Sequence, residues 1–151
     1  METITIQFSR GRGILSSLVA WGTWSWSSHV DIVIPIAGAS ELLVGANAGL
    51  GVSLRNSSKV LADSKQVERY TVQVENKADV YNSALSLVGS GYDWMGILGI
   101  VSRTRVQNKN KFFCSEFVAH VLLENGVGLF NQPLHRITPR DLISSTKLSK
   151  V

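Results

Sequence analysis

Residues 28–34 read SHVDIVI, and this stretch decides which kind of fold the chain can form. Its alternate positions hold branched aliphatic residues, the period-two pattern of a half-buried strand. His29 and Asp31 therefore share the face opposite to the aliphatic one. A histidine there is either a satisfied core residue or a catalytic base, because a strand is the rigid mount that a base requires.

The sequence on either side predicts a mixture of strands and short helices. Alternating or apolar runs predict strands at residues 4–8, 41–47, 51–54 and 67–74. Helical periodicity, with capping signals at Asn76 and Thr138, predicts helices at residues 14–19, 80–88, 93–101, 114–125 and after residue 138, with a basic loop at 102–111. No repeat or linker interrupts the pattern. The sequence thus predicts an α+β class and a single domain over residues 1–151.

Composition narrows the classes of function. The chain is 44% hydrophobic and only 17% charged, with a net charge of +4 spread along it, which argues against a disordered tail or a nucleic-acid-binding arm. We expect no nucleic-acid partner and, because no long apolar run occurs, no integral membrane segment. The N-terminus lacks the pattern of a signal peptide, so we expect a cytoplasmic protein unless a lysis system or a virion carries it across the membrane.

Cys114 is the single cysteine, and it lies at the predicted start of a helix. Free backbone N–H groups and the helix dipole at that position favour a thiolate, and Lys109 and Lys111 add positive charge. The alternative is a buried cysteine that packs as a small hydrophobe. The sequence otherwise contains no metal-ligand cluster and no nucleotide-binding loop, so no cofactor or metal is expected.

A thiol nucleophile needs a base, and three histidines are candidates. His120 leaves the helix of Cys114 on a different face, because six residues correspond to about 240° of rotation. His135 lies in a connection that contains a proline, where a solvated side chain is expected. His29 is the remaining candidate, on its strand.

The order of five motifs resembles one known family. The motifs are SHVDIVI at 28–34, GA at 45–46 with GV at 51–52, GYDW at 91–94, FCSEFV at 113–118 and ITPRDL at 137–142. This order resembles the circularly permuted branch of the papain-like (NlpC-type) cysteine amidases, the YiiX-type proteins, of which bacteriophage genomes carry small stand-alone versions. The similarity spans roughly residues 1–145, and its order and spacing are more specific than any single motif.

The resemblance implies an antiparallel sheet packed on the helix that begins with the nucleophile, Cys114, and it implies that His29 is the base. Related enzymes place a tyrosine near the oxyanion, the position of Tyr92, although a core tyrosine is an equal reading. The family usually orients its histidine with a third polar group on the next strand, where this chain has Gly45. Asn47 shares the strand parity of Gly45, and an amide oxygen can accept the imidazole N–H.

Asp31 competes with Asn47 for the orienting role. Its position two residues beyond His29 is awkward for a direct bond, because such neighbours stand about 6.5–7 Å apart along a strand. A site with neither residue in that role is the third alternative.

The resemblance predicts a cysteine hydrolase of amide bonds, acting on a peptidoglycan peptide or another small acyl-amide. Trp24 and Trp26 would favour an apolar or sugar-bearing substrate if they line the cleft, although core or lid positions are commoner for such aromatics. One rival is an acyltransferase or thioesterase acting on lipid-like substrates. The other is a virion or host-interaction module that keeps the fold but has lost efficient turnover. The sequence does not indicate the oligomeric state.

Overall fold

The computed structural model describes residues 1–93 and 111–151, and a six-stranded antiparallel sheet is its main feature. The strands of this sheet are β1 (Glu2–Gly11), β2 (His29–Ile34), β3 (Leu42–Asn47), β4 (Gly51–Asn56), β5 (Ser64–Val74) and β8 (Leu148–Lys150). They lie in the order β4-β3-β2-β1-β5-β8. A short parallel pair, β6 (Gly91–Tyr92) and β7 (Lys111–Phe112), forms separately. The strands predicted from the sequence are present, and the short strands β6 to β8 were not predicted.

Helices complete the α+β fold. They are α1 (Ile14–Gly22), α2 (Ser57–Asp63), α3 (Lys77–Ser86), α4 (Cys114–Glu124) and α5 (Pro139–Ser144), with a 3₁₀ turn at Leu134–Arg136. Helix α2 was missed by the sequence analysis, although Asn56 caps it by accepting a hydrogen bond from the Ser58 N–H at 2.9 Å. The helix predicted at residues 93–101 and the basic loop predicted at 102–111 lie outside the described residues, apart from their end residues Asp93 and Lys111. Within the described residues, no helix has the length and apolar character needed to cross a membrane.

The two faces of the sheet differ in what they bury. Ile6, Ile32 and Val44 are register partners on one face, and they belong to the large apolar core that also contains Phe117 and Leu122 of α4. The opposite face has only a small apolar cluster, made of Val33, Leu43 and Val60. That face also buries polar side chains, among them Gln7 and Asp31. The polar pattern predicted for β2 is therefore present across neighbouring strands.

The start of α4 is fixed by contacts with the chain that follows it. The Ser115 hydroxyl donates to the carbonyl oxygen of Ile137 at 2.5 Å. Directly after Ile137, Thr138 and Asp141 cap α5 reciprocally, with the Thr138 N–H donating to Asp141 Oδ2 at 2.8 Å. This is the capping pattern predicted from the sequence. The ITPRDL motif thus anchors the first turn of α4, where Cys114 lies.

Candidate active site

Cys114 occupies the first position of α4, at the end of the sheet where β2 begins. Its side chain is fully buried, and Sγ lies 4.0 Å from the carbonyl oxygen of Ser28, the residue immediately before His29. Because His29 is the first residue of β2, the N-terminus of the helix and the start of the strand meet. The thiol therefore lies beside the predicted base.

His29 is held between a thiol and a carboxylate. Its Nε2 lies 2.9 Å from Asp31 Oδ1, and 17% of the His29 side chain is exposed. Burial alone would lower the pKa of His29, but the charge of Asp31 and its hydrogen bond outweigh burial, and with the nearby Cys114 they raise that pKa to about 9. The imidazole is therefore cationic at neutral pH in this arrangement, and Nδ1 is the ring nitrogen left for the thiol.

Asp31 is completely buried, and each of its two oxygens has a cationic partner. Oδ1 faces His29, and Oδ2 accepts a hydrogen bond from Arg55 Nη2 at 2.7 Å. Burial alone would raise the pKa of Asp31, but the charges and hydrogen bonds of His29 and Arg55 lower it. The carboxylate is therefore ionised, as an orienting group for a cationic imidazole must be.

Asp31, rather than Asn47, is the residue that contacts the His29 ring. The sequence analysis favoured Asn47 over Asp31, because residues two apart on a strand seemed too distant for a direct bond. The long imidazole spans that distance through Nε2. The Asn47 amide instead donates to the carbonyl oxygen of Gly45 at 2.8 Å and to Ser53 Oγ at 2.9 Å. Asn47 lines the same cavity as His29, but the contact with the imidazole belongs to Asp31.

Gly45 provides the space that Asp31 occupies. A Cβ atom at this position would overlap Asp31 Oδ1, and it would lie 3.2 Å from Asp31 Cγ and 3.1 Å from the carbonyl oxygen of Val30. The carboxylate of Asp31 thus occupies the space beside Gly45, the position where the sequence analysis expected a polar side chain. A glycine inside a strand marks a close approach, which is the signal that could have indicated Asp31 from the sequence.

Arg55 is a site residue that the sequence analysis missed. It lies on β4 and reaches Asp31 from two strands away, so no local pattern around β2 indicates it. The only local sign is a basic residue on the face of the strand that would otherwise pack under α2.

Tyr92 lies close enough to Cys114 for a charge on the thiol to affect the pKa of the Tyr92 hydroxyl. Burial, followed by the charges of Cys114 and Asp93, raises the pKa of Tyr92 well above its ordinary value, so the hydroxyl stays protonated. Backbone hydrogen bonds bring this segment to the sheet, since the Val52 N–H donates to the carbonyl oxygen of Ser90 at 2.8 Å. Gly51, with a φ of 70°, allows this approach because a side chain there would overlap Ser90.

Glu116 supports the first turn of α4 from inside the protein. Its Oε2 accepts a hydrogen bond from the Phe113 N–H at 3.3 Å. Burial raises the pKa of Glu116 to about 7, the Phe113 N–H opposes that shift, and the charge of Asp93 adds to it. This carboxyl therefore titrates near neutral pH in the same helical turn as Cys114.

A cavity of about 620 Å³ adjoins the site on the side of His29. Its wall combines apolar side chains with cationic and amide groups, including Leu50, Leu54, Arg55, Asn47 and Tyr92. A cavity of this size accommodates a small acyl group with polar substituents.

The remaining candidate residues lie elsewhere. Trp24 is 79% exposed and Trp26 packs against the apolar core, and neither lines the cavity beside His29. His120, which was expected to leave the helix on a different face from Cys114, pairs with Glu124 at 3.3 Å. His135 lies in the 3₁₀ turn and is partly exposed.

Comparison with solved structures supports the fold. The chain is similar to the crystal structure of "metalloprotein yiiX from Escherichia coli O157:H7, DUF1105", with a TM-score of 0.73 over 99% of this chain and 96% of that one. The two sequences are 16% identical, so the likeness concerns the fold. No family model matches the sequence, and no curated protein matches it. The class defined is a mixed α+β, YiiX-like fold.

The neighbour is described as a metalloprotein, so the donor set of this chain is relevant. Among residues 1–93 and 111–151, no group of three or more His, Cys, Asp and Glu side chains is arranged to hold a metal ion. Asp31 would be the natural hard ligand near Cys114 and His29, but both of its oxygens are already bonded. The described residues around Cys114 and His29 therefore do not fit a metal centre.

Proposed function

We propose that this protein is a cysteine hydrolase that cleaves an amide bond through an acyl-enzyme, with Cys114 as the nucleophile and His29 as the general base and acid. We further propose that the chain is one permuted papain-like domain, in which the histidine strand precedes the nucleophile helix. One observation supports the proposal most. A thiol at a helix N-terminus, an imidazole and a buried carboxylate lie in series.

The residues suit the two halves of acyl transfer. His29 holds the proton of the thiol, the thiolate Sγ attacks the carbonyl carbon, and a carbon–sulfur bond forms. The carbon–nitrogen bond then breaks as the imidazolium donates its proton to the departing amine. Water attacks the thioester carbon while His29 accepts its proton. The carbon–sulfur bond then breaks, which releases the acid and returns the thiolate beside the imidazolium that holds its proton.

The oxyanion of each tetrahedral intermediate needs donors. The Cys114 backbone N–H lies at the start of α4, where it has no partner within the helix. The Tyr92 hydroxyl stays protonated, so it is able to donate. We assign these two groups to the oxyanion, and we assign the orientation of His29 to Asp31 rather than to Asn47.

Burial of the thiol bears on which reagents reach it. Cys114 has no exposed surface, whereas His29 faces the cavity. A substrate in the cavity therefore meets the imidazole before the sulfur. We expect small thiol reagents to modify Cys114 faster than bulky ones of equal intrinsic reactivity.

The test is capture of the acyl-enzyme by intact-protein mass spectrometry. The probes are a peptidoglycan-type tetrapeptide amide, an N-acyl amino-acid p-nitroanilide and a long-chain acyl p-nitrophenyl ester. We expect an acyl adduct from an amide probe, absent in Cys114→Ala, and a loss of about 10²- to 10⁴-fold in its formation rate in His29→Ala. His120→Ala is the matched control, because His120 pairs with Glu124.

Three results would overturn the proposal. An adduct that persists in Cys114→Ala would remove the nucleophile. Acylation by the ester alone, with transfer to an added alcohol, would favour the acyltransferase. A folded protein that no probe acylates would favour the binding module.

A further inference from the structure

We propose that Arg55 and Gly45 are positioning residues for His29: together they hold the carboxylate of Asp31 against the imidazole, so that an acid on the histidine's own strand replaces one on the next strand. This inference rests on the proposed function of Cys114 and His29. It concerns how the acid is held, and neither Arg55 nor Gly45 is assigned a contact with substrate in it.

The two oxygens of the Asp31 carboxylate have different partners. A carboxylate with one partner is free to turn about its side-chain bonds and to share that partner between its oxygens. Here Oδ2 is bonded to Arg55 Nη2 at 2.7 Å, which leaves Oδ1 for His29 Nε2 at 2.9 Å. Arg55 thereby fixes the rotation of the carboxylate, because a guanidinium group has a rigid planar geometry.

The Arg55 guanidinium contacts Asp31 while another of its donors lacks a hydrogen-bond partner among the described residues. Its Nε is buried and has no hydrogen-bond partner among the described residues, while Nη2 remains on Asp31. A buried N–H without a partner costs free energy. The placement of this guanidinium is thus explained by the Asp31 contact rather than by complete satisfaction of its own donors.

The absence of a side chain at Gly45 leaves room for the Asp31 carboxylate. Asp31 Oδ1 and Cγ lie directly over Gly45, where the overlapping Cβ would force the carboxylate away from His29. The neighbouring carbonyl oxygen of Val30 would lie 3.1 Å from the same Cβ, and it belongs to the paired strand β2, so the backbone has little room to shift. Gly45 does not have a positive φ, so its lack of a side chain is the property that matters.

The sign of one measurable quantity separates positioning from simple charge. If Arg55 were only a nearby cation, its removal would raise the pKa of His29, because a like charge disfavours the imidazolium. If Arg55 holds Asp31 in place, its removal frees the carboxylate, and the pKa of His29 falls. The groups that face His29 are Asp31 on its own strand and Cys114 from α4, with Arg55 behind Asp31.

The experiment is an NMR titration of the imidazole in ¹³C-labelled protein, together with the pH profile of Cys114 alkylation by iodoacetamide, which carries no charge for Arg55 to bind. In Arg55→Gln we expect the pKa of His29 to fall from about 9 by about 1 unit or more. Alkylation near neutral pH should slow in parallel. Arg69→Gln is the matched control, because Arg69 pairs with Glu41 and bonds Gln7 on the same sheet without a bond to Asp31.

Gly45→Ala tests the space independently. We expect it to lower the pKa of His29 at least as far as Arg55→Gln does, because the methyl group occupies the position of Oδ1. Gly128→Ala is the control, since a Cβ there meets only Leu123 Cδ1 at an ordinary 3.7 Å. If either site variant fails to fold, Arg55→Lys replaces it, because lysine keeps the charge but lacks the planar guanidinium group. In Arg55→Lys we expect an intermediate fall of the pKa of His29.

The outcomes separate this inference from the proposed function. A pKa of His29 that stays the same or rises in Arg55→Gln and Arg55→Lys would overturn the positioning role, even if the wild type forms an acyl-enzyme. A fall in both variants supports it. If the pKa of His29 falls in both variants but the wild type never forms an acyl-enzyme, the hydrolase is refuted. The positioning of Asp31 by Arg55 and Gly45 would then be a feature of a binding site.

Discussion

The two faces of β2 teach different lessons. Val30, Ile32 and Ile34 lie in an apolar core shared with α4, where any well-packed aliphatic set would stabilise the protein. The opposite face buries an ionised carboxylate, a cationic imidazole and part of a guanidinium group within a few ångströms. Buried ion pairs are poor contributors to stability because desolvation offsets their attraction. The apolar face therefore accounts for more of the stability than the charged face, to which we assign the proposed chemistry.

Among substitutions on the two faces of β2, Asp31→Asn should have the largest effect on activity. An amide has no charge to hold the imidazolium and presents a donor to Nε2 in one orientation, so we expect acyl-enzyme formation to fall by about 10²- to 10⁴-fold. The measurement is the rate of acylation of folded protein, with the fold checked by circular dichroism. A variant as fast as the wild type would show that the polar face has no catalytic role.

Ile32→Ala should produce the complementary result. Ile32 has no exposed surface, and its truncation should lower the free energy of unfolding by about 2–5 kcal/mol, measured by urea denaturation. The pKa of His29 in the folded fraction should stay near 9, because the substitution is on the other face. A large shift of that pKa would mean that the two faces are not independent.

The pH dependence of stability should depend on the polar face. A histidine whose folded pKa is about 9, against 6.5 unfolded, contributes stability that is complete below 6.5 and is lost as pH rises through 9. We therefore expect the free energy of unfolding to decline from about pH 6.5 to about pH 9, and this decline to disappear in His29→Gln. Equal slopes for the two proteins would mean that the imidazole is not held as a cation.

Asn47→Ala should have the smallest effect. Its amide bonds Gly45 and Ser53 rather than His29, so the pKa of His29 should remain near 9 and the acylation rate should change little. The same NMR titration and mass-spectrometric assay measure both. A large loss of rate together with a fall of that pKa would return the orienting role to Asn47.

Much of the site could be predicted from local sequence. The alternation around His29, the helix that begins at Cys114 and the cap formed by Thr138 and Asp141 are short-range patterns, set by backbone hydrogen bonding and side-chain periodicity. These features needed no knowledge of which strands are neighbours.

The sequence by itself determined the mixed α+β class, the strand that carries His29 and the helix that starts at Cys114. Only the tertiary structure decided which acid faces the imidazole. That choice depends on the pairing of β2 with β3, which places Gly45, a residue without a side chain, beside the Asp31 carboxylate. It also depends on the hydrogen bond that Arg55 donates to Asp31 from β4. Such contacts join residues on three strands, and the energy of a buried carboxylate depends on all of them together, so no local pattern specifies it.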